Sequence, residues 1–114
     1  MKVQISYRDK IISKDILIAD TLVTRLIGLM FRKNLLGAEG LLLNPCNSIH
    51  TFFMRYSLDI VFISSENRVV KIIRGIKPWR MTWIYLRAKK TLELPAGKLP
   101  KDLEEGDFLE VKNV

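Results

Sequence analysis

Short apolar runs separated by polar turns constrain the fold of this chain more than any other sequence feature. Residues 3–7 alternate between apolar and polar side chains, and a second run at residues 11–18 follows the polar turn Arg8-Asp9-Lys10. A period of two is typical of half-buried strands, so these runs predict a β-hairpin. After Gly40, further candidate strands lie at residues 41–43, 49–54, 58–63, 68–73, 91–94 and 108–111, with a turn at residues 64–67. This spacing predicts a mostly antiparallel sheet, curved or closed into a partial barrel.

Two segments have the signals of helices instead. Asp20 is a good N-cap, and the apolar residues between positions 22 and 30 recur at helical spacing, which predicts one main helix. Pro100 suits the first turn of a short second helix that ends before Gly106. Together with the strands, these helices predict an α+β fold.

Length and composition indicate one domain, residues 1–114, in a cytoplasmic protein. The longest apolar stretches are three or four residues long, whereas a membrane span needs about 20, so we expect no membrane partner. Charged residues near the N-terminus interrupt the apolar core that a signal peptide would need. The single cysteine, Cys46, cannot form an internal disulfide, which fits a reducing compartment.

All of the excess positive charge lies in one segment. The chain has 19 basic and 12 acidic residues, a net charge of +7, yet residues 67–92 contain eight basic residues and no acidic one. Basic side chains interleaved with aromatic rings are typical of surfaces that bind single-stranded nucleic acid, because cations contact phosphates while rings stack on bases. A solvated basic face is the simpler alternative. The candidate polyanion-binding residues are Arg68, Lys71, Arg74, Lys77, Trp79, Arg80 and Trp83.

Cys46, His50 and Asp59 are the candidate catalytic residues. A cysteine thiolate activated by a histidine, which a carboxylate orients, is the arrangement of a cysteine nucleophile and would make the protein a small hydrolase. The alternative is structural, because the apolar neighbours of Cys46 predict a buried thiol and a lone histidine is commonly a hydrogen-bonded core residue. One cysteine and one histidine are too few ligands for a metal site, and no phosphate-binding glycine motif occurs, so we predict neither a metal nor a cofactor.

Four stretches of the chain carry a family resemblance: residues 25–32, 40–43, 46–54 with 58–62, and 92–97. Their order and spacing resemble the DUF192 family, a prokaryotic domain of unknown function, over nearly the whole chain. The resemblance implies one compact, mostly β domain with a main helix, and it implies no reaction, cofactor or partner. The chain has Arg55-Tyr56 where many relatives have Lys-Asn, and we expect no secretion signal like theirs.

The ionisable residues are few for an enzyme, so the favoured hypothesis is a non-catalytic binding or accessory module for an unknown small ligand. Arg25 on the predicted helix could hold a carboxylate or phosphate beside His50. The candidate ligand-binding residues are Arg25, His50, Thr51, Pro95 and Gly97. Two alternatives stay open: binding of nucleic acid or another polyanion through residues 68–90, and the small Cys/His hydrolase.

Overall fold

The computed structural model describes residues 2–19, 38–52 and 54–114, and these residues form seven strands in one sheet. The strands are β1 (Lys2–Tyr7), β2 (Lys10–Ala19), β3 (Gly40–Leu43), β4 (Leu58–Ile63), β5 (Val69–Ile76), β6 (Lys90–Pro95) and β7 (Glu110–Asn113). Their order across the sheet is β5-β4-β6-β3-β2-β1-β7. Every neighbouring pair is antiparallel except β2 and β3, which run parallel, so the sheet is mixed.

The predicted α+β class is wrong for the part of the chain that the structure describes, because this part contains no helix and is all β. The predicted main helix falls on residues 20–37, which lie outside the described residues. The predicted short helix after Pro100 is instead a pair of turns. The first turn has a single local bond, from the Leu103 amide to the Pro100 carbonyl at 3.3 Å. The Arg74 guanidinium donates to the carbonyl oxygens of Leu99, Pro100 and Leu103 at 3.4, 2.8 and 3.2 Å.

Most predicted strands are confirmed, as are the hairpin of β1 and β2 and the turn between β4 and β5. The strand predicted at residues 49–54 is wrong. Of the residues described in this stretch, only His50 forms a bridge, to Met81, because the polar groups of Thr51 bond to a loop and not to a neighbouring strand.

The sheet buries apolar side chains on both faces. Along β4, Val61 and Ile63 belong to one core cluster, whereas Leu58, Ile60 and Phe62 belong to another. A strand buried on both faces is apolar along nearly its whole length, and β4 fits this pattern: all six residues are buried, and all but Asp59 are apolar. No helix of the described residues is long and apolar enough to cross a bilayer.

The sheet curls so that its two edges meet. Arg68, just before β5, forms a bridge with Phe108, just before β7. Backbone bonds from Val69 N to Asp107 O at 2.7 Å and from Leu109 N to Asn67 O at 2.9 Å extend this contact. The closure leaves the connection from β5 to β6, residues 77–89, on the outside of the sheet; we call it the 77–89 loop.

Candidate functional site

Cys46 lies in the segment after β3, where it is half-buried and packs against one of the core clusters, so it is less buried than predicted. Its Sγ donates to the carbonyl oxygen of Ser48 at 3.1 Å, and its backbone amide donates to the carbonyl of Lys89 at 2.8 Å. The side chain lines a surface cavity of about 460 Å³ together with Leu43, Pro45, Asn47, Ser48, Ala88 and Lys89. Cys46 therefore stands at the C-terminal end of the 77–89 loop.

His50 lies at the base of the other end of the same loop. Its Nδ1 accepts a hydrogen bond from the Phe52 amide at 3.3 Å, and its ring stacks on that of Phe52 with centroids 4.7 Å apart. Phe52 in turn stacks on Trp79, with centroids 5.7 Å apart. The aromatic stack therefore runs from His50 to the loop, so His50 contributes to the support of that loop.

Asp59 supports main-chain turns. Its carboxylate is buried and accepts hydrogen bonds from the amides of Gly75 at 2.9 Å, Gly97 at 2.9 Å and Leu99 at 3.3 Å. Three of its oxygen lone pairs are thereby used on backbone donors. These contacts explain a buried carboxylate without any catalytic role. The assignment of Asp59 as the acid that orients His50 stays a prediction.

The predicted ligand-binding residues fall in two places. Thr51 lies beside His50 and is fully buried, and its hydroxyl donates to the Lys77 carbonyl at 2.7 Å and accepts from the Arg80 amide at 2.9 Å. Pro95 and Gly97 lie at the end of β6, in the turn that Asp59 holds. Arg25 lies outside the described residues. Because the polar groups of Thr51 and Gly97 have internal partners, a small-ligand site formed by these residues also stays a prediction.

The first half of the predicted basic segment is tied to the fold. The guanidinium of Arg68 lies over the Phe108 ring, 4.6 Å from its centroid, and Lys71 forms an ion pair with Glu105 at 3.8 Å. Arg74 binds three carbonyl groups of the turn after β6, as described above. Each of these three cations therefore has a contact within the fold, and that of Lys71 is with an acidic side chain.

The second half of the segment is exposed. Lys77, Arg80, Arg87 and Lys89 are all solvent-exposed, and the 77–89 loop contains no acidic residue. Burial lowers the pKa of Lys90, which follows the loop and donates to the side-chain oxygen of Asn67. The exposed cations of the loop thus end with Lys89.

The same loop exposes large apolar side chains. The exposed fraction is 57% for Trp79, 72% for Met81, 83% for Trp83, 64% for Ile84 and 86% for Leu86. Sequence reasoning identified the two tryptophans but missed Met81, Ile84 and Leu86. The signal was present, because residues 77–89 match neither the period of a strand nor a predicted helix, and apolar residues outside regular elements need a separate explanation.

Two threonines hold the loop in place. Thr51 binds residues 77 and 80, as noted, and the hydroxyl of Thr82 accepts from the Ile49 amide at 2.9 Å. Further along, the Tyr85 amide donates to the Asn47 carbonyl at 2.9 Å. The Tyr85 ring packs on Phe62 of the core with centroids 4.6 Å apart. The loop is therefore pinned from beneath while its apolar and basic side chains face solvent.

Among the described residues, no group of three or more His, Cys, Asp and Glu side chains could hold a metal ion. The described residues form a mixed β-sheet closed at its edges. This sheet presents one pinned loop whose exposed side chains are basic and apolar.

The chain belongs to the DUF192 family, described as "Uncharacterized ACR", which matches residues 3–111. This confirms the resemblance noted in the sequence. A UPF0127 protein of Pyrococcus horikoshii is 38% identical over 88 residues, 73% of this chain and 74% of that protein. A UPF0127 protein of Pyrococcus furiosus is 35% identical over 107 residues, 90% of this chain and 91% of that protein.

Solved structures share the fold. A crystal structure of a protein of unknown function from Novosphingobium aromaticivorans superposes with a TM-score of 0.74 at 22% identity, covering 96% of this chain and 84% of that one. A second crystal structure, from Sinorhizobium meliloti, superposes with a TM-score of 0.71 at 21% identity, covering 96% and 92%. At these identities the likeness concerns the fold alone.

Proposed function

We propose that this protein is a non-catalytic binding module that contacts a phosphate-rich, polyanionic partner through the 77–89 loop. The observation that carries the proposal is the exposure of Lys77, Arg80, Arg87 and Lys89 on a pinned loop without an acidic residue. Phosphate groups attract such cations strongly, and their neutralisation releases counterions. Arg68, Lys71 and Arg74 make contacts within the fold. The four loop cations are exposed on one short segment, and of these Arg87 shares a surface groove with Glu105.

Electrostatics favour this loop over the rest of the basic segment. Arg74 already donates to three carbonyl groups, and Lys71 has an acidic partner, so both would have to give up contacts before they could bind a phosphate. The exposed cations of the loop lose little on contact with a partner. A concentrated positive field also raises the rate at which an anionic partner arrives.

The two other functions receive less support from the geometry. The hydrolase requires Asp59 to orient His50, and the Asp59 carboxylate already accepts three backbone hydrogen bonds. The small-ligand module requires open polar groups at Thr51 and Gly97, and both have internal partners. His50 supports the loop through the stack with Phe52 and Trp79, so it contributes to the proposed surface indirectly.

Inorganic polyphosphate is a suitable probe, because it carries charge without bases or acyl chains. Binding is measured by fluorescence anisotropy of labelled polyphosphate between 50 and 200 mM salt. A loop-charge variant replaces three exposed cations of the loop: Lys77→Ala, Arg80→Ala and Arg87→Ala. A control variant removes the same charge from exposed positions elsewhere: Lys14→Ala, Lys101→Ala and Lys112→Ala.

The loop-charge variant should bind polyphosphate more weakly and with a shallower salt dependence. If each cation contacts one phosphate, the slope of log K against log salt should fall in magnitude by about 2, using the single-strand value of about 0.7 per contact. The control variant should keep the wild-type slope. Equal loss in both variants would mean that total charge, and not this surface, drives binding, and no binding by the wild type would refute the function.

A further inference from the structure

We propose that the partner of the 77–89 loop is the surface of an anionic lipid bilayer, with Met81, Trp83, Ile84 and Leu86 inserted among the acyl chains near the headgroups. This inference rests on the proposed function, because the same loop supplies the cations. No apolar run of the sequence can span a bilayer, which is why the sequence predicts no membrane partner. Docking on a bilayer surface requires no such run.

Exposed apolar side chains concentrate on this one loop. Eight large apolar residues of the described chain are exposed, and five of them lie within residues 77–89. Single exposed apolar residues are ordinary, but a contiguous group with a polar rim marks an interaction surface. These apolar side chains therefore fit a partner that has an apolar interior as well as a negatively charged surface.

The order of side chains along the loop suits a bilayer. Lys77 and Arg80 precede the most exposed apolar residues, and Arg87 and Lys89 follow them. Such cations can contact lipid phosphates and carboxylates while the side chains between them enter the acyl region. Tryptophan favours the interface, where its ring is apolar and its N–H reaches a polar group. Each cation near an anionic membrane adds about fivefold to the binding constant.

Single-stranded nucleic acid fits this surface less well. Bases stack on aromatic rings, and aliphatic side chains such as those of Ile84 and Leu86 offer no such plane. Trp79 already stacks on Phe52, which occupies one face of its ring. Trp83 is 83% exposed against 57% for Trp79, so it is the more accessible of the two rings. Three large aliphatic side chains in water remain unexplained by stacking and are explained by insertion.

The pinning of the loop supports docking as a preformed surface. Hydrogen bonds from Thr51 to Lys77 and from the Ile49 amide to Thr82 hold its N-terminal half, and the Tyr85 ring packs on Phe62 of the core. Ile84 and Leu86, on either side of Tyr85, consequently face outward. Little chain ordering is needed on contact with the bilayer, so insertion can contribute directly to affinity.

The test compares vesicles, polyphosphate and an oligonucleotide. Wild-type protein is sedimented with vesicles of phosphatidylcholine containing 30 mol% phosphatidylglycerol, and separately with pure phosphatidylcholine vesicles. Tryptophan emission is recorded with acyl-chain-brominated lipid. Polyphosphate and a single-stranded oligothymidylate are titrated in parallel. A loop-apolar variant carries Ile84→Ser and Leu86→Ser, and its control carries Ile11→Ser and Val114→Ser at exposed apolar positions outside the loop.

We expect binding to anionic vesicles with quenching by brominated lipid, and much weaker binding to pure phosphatidylcholine. The loop-apolar variant should bind anionic vesicles about a hundredfold or more weakly, since each buried methylene contributes about fourfold to partitioning. It should keep wild-type affinity for polyphosphate, because its charge is unchanged. The control variant should match the wild type on every surface.

Failure of this inference differs from failure of the proposed function. Binding to polyphosphate or oligothymidylate without binding to anionic vesicles would refute the membrane and leave a polyanion-binding module. Vesicle binding that the loop-apolar variant retains, without brominated-lipid quenching, would refute insertion. Absence of binding to all probes would refute both proposals.

Discussion

Replacement of Asp59 by alanine should destabilise the fold without any ligand being involved. The carboxylate is 3% exposed and accepts three backbone N–H groups, from Gly75, Gly97 and Leu99. Alanine removes both carboxylate oxygens, and with them all three hydrogen bonds, and it places no polar atom there. A loss of stability would mean that Asp59 is a structural anchor, as the geometry indicates, and not a residue whose loss affects only an activity.

The size of the effect follows from where the three donors lie. Leu99 is 3% exposed, so its amide loses its acceptor in a buried place, which costs about 1 to 3 kcal/mol. Gly75 and Gly97 are exposed, so water can replace the carboxylate at their amides, and each loses about 0.5 to 1.5 kcal/mol. The total is about 2 to 6 kcal/mol, against about 5 to 15 kcal/mol for a whole domain.

Asparagine at position 59 should cost less, about 1 to 3 kcal/mol, because its single carbonyl can accept from the two amides that share one carboxylate oxygen. Urea unfolding followed by tryptophan fluorescence and circular dichroism measures the free energy of unfolding for each variant. Asp102→Ala, at an exposed carboxylate in the neighbouring turn, is the control. If the free energy of unfolding of Asp59→Ala lies within about 0.5 kcal/mol of the wild-type value, the anchoring role is refuted.

The strands could be predicted because two apolar patterns, alternation and a continuous run, are visible in the sequence. Alternation in β1 reflects a strand with one apolar face. The apolar run at residues 60–63 of β4 reflects burial on both faces. Turn residues at positions 8–9 and 64–67 mark the hairpins. Local chemistry decides these features, so the sequence reports them directly.

Features that depend on distant contacts could not be predicted. The parallel pairing of β2 and β3 depends on the path of the chain between them, which periodicity does not record. The segment after Pro100 has helix signals, but Arg74, far away in sequence, binds the carbonyl groups that a helix would use. A long-range side chain overrides a local propensity there.

The candidate site shows the same division. The absence of acidic residues from positions 67–92 located the basic segment, but spacing could not separate Arg74, which holds a turn, from Arg80, which faces solvent. Cys46, His50 and Asp59 share a plausible chemistry, and only coordinates reveal that the Asp59 carboxylate serves backbone amides. The type of a residue predicts which chemistry its side chain can perform, whereas its contacts in the fold determine what it does.

Two further substitutions test how the sheet is packed and closed. Gly40→Ala should destabilise the protein by about 1 to 3 kcal/mol in urea unfolding, because the new Cβ would lie 2.7 Å from the backbone oxygen of Glu93; an unchanged midpoint would contradict this packing. The second concerns Asp107, whose carboxylate accepts from the Glu104 amide and the Tyr7 hydroxyl, each at 2.8 Å. These bonds, the Glu104 amide first, hold the pKa of Asp107 below its usual value of 3.8. A lowered folded-state pKa stabilises the fold above the unfolded-state pKa, and this contribution is lost as the pH falls through the folded-state pKa. Asp107→Asn should therefore have a lower Tm than the wild type at pH 7. The difference should begin to shrink as the pH falls below about 4, near the unfolded-state pKa, and should disappear only below the lowered folded-state pKa, where the wild-type carboxyl is neutral like the amide. Thermal unfolding by circular dichroism across that range measures it, and a difference in Tm that stays constant with pH would mean that the charge of Asp107 contributes nothing to closing the sheet.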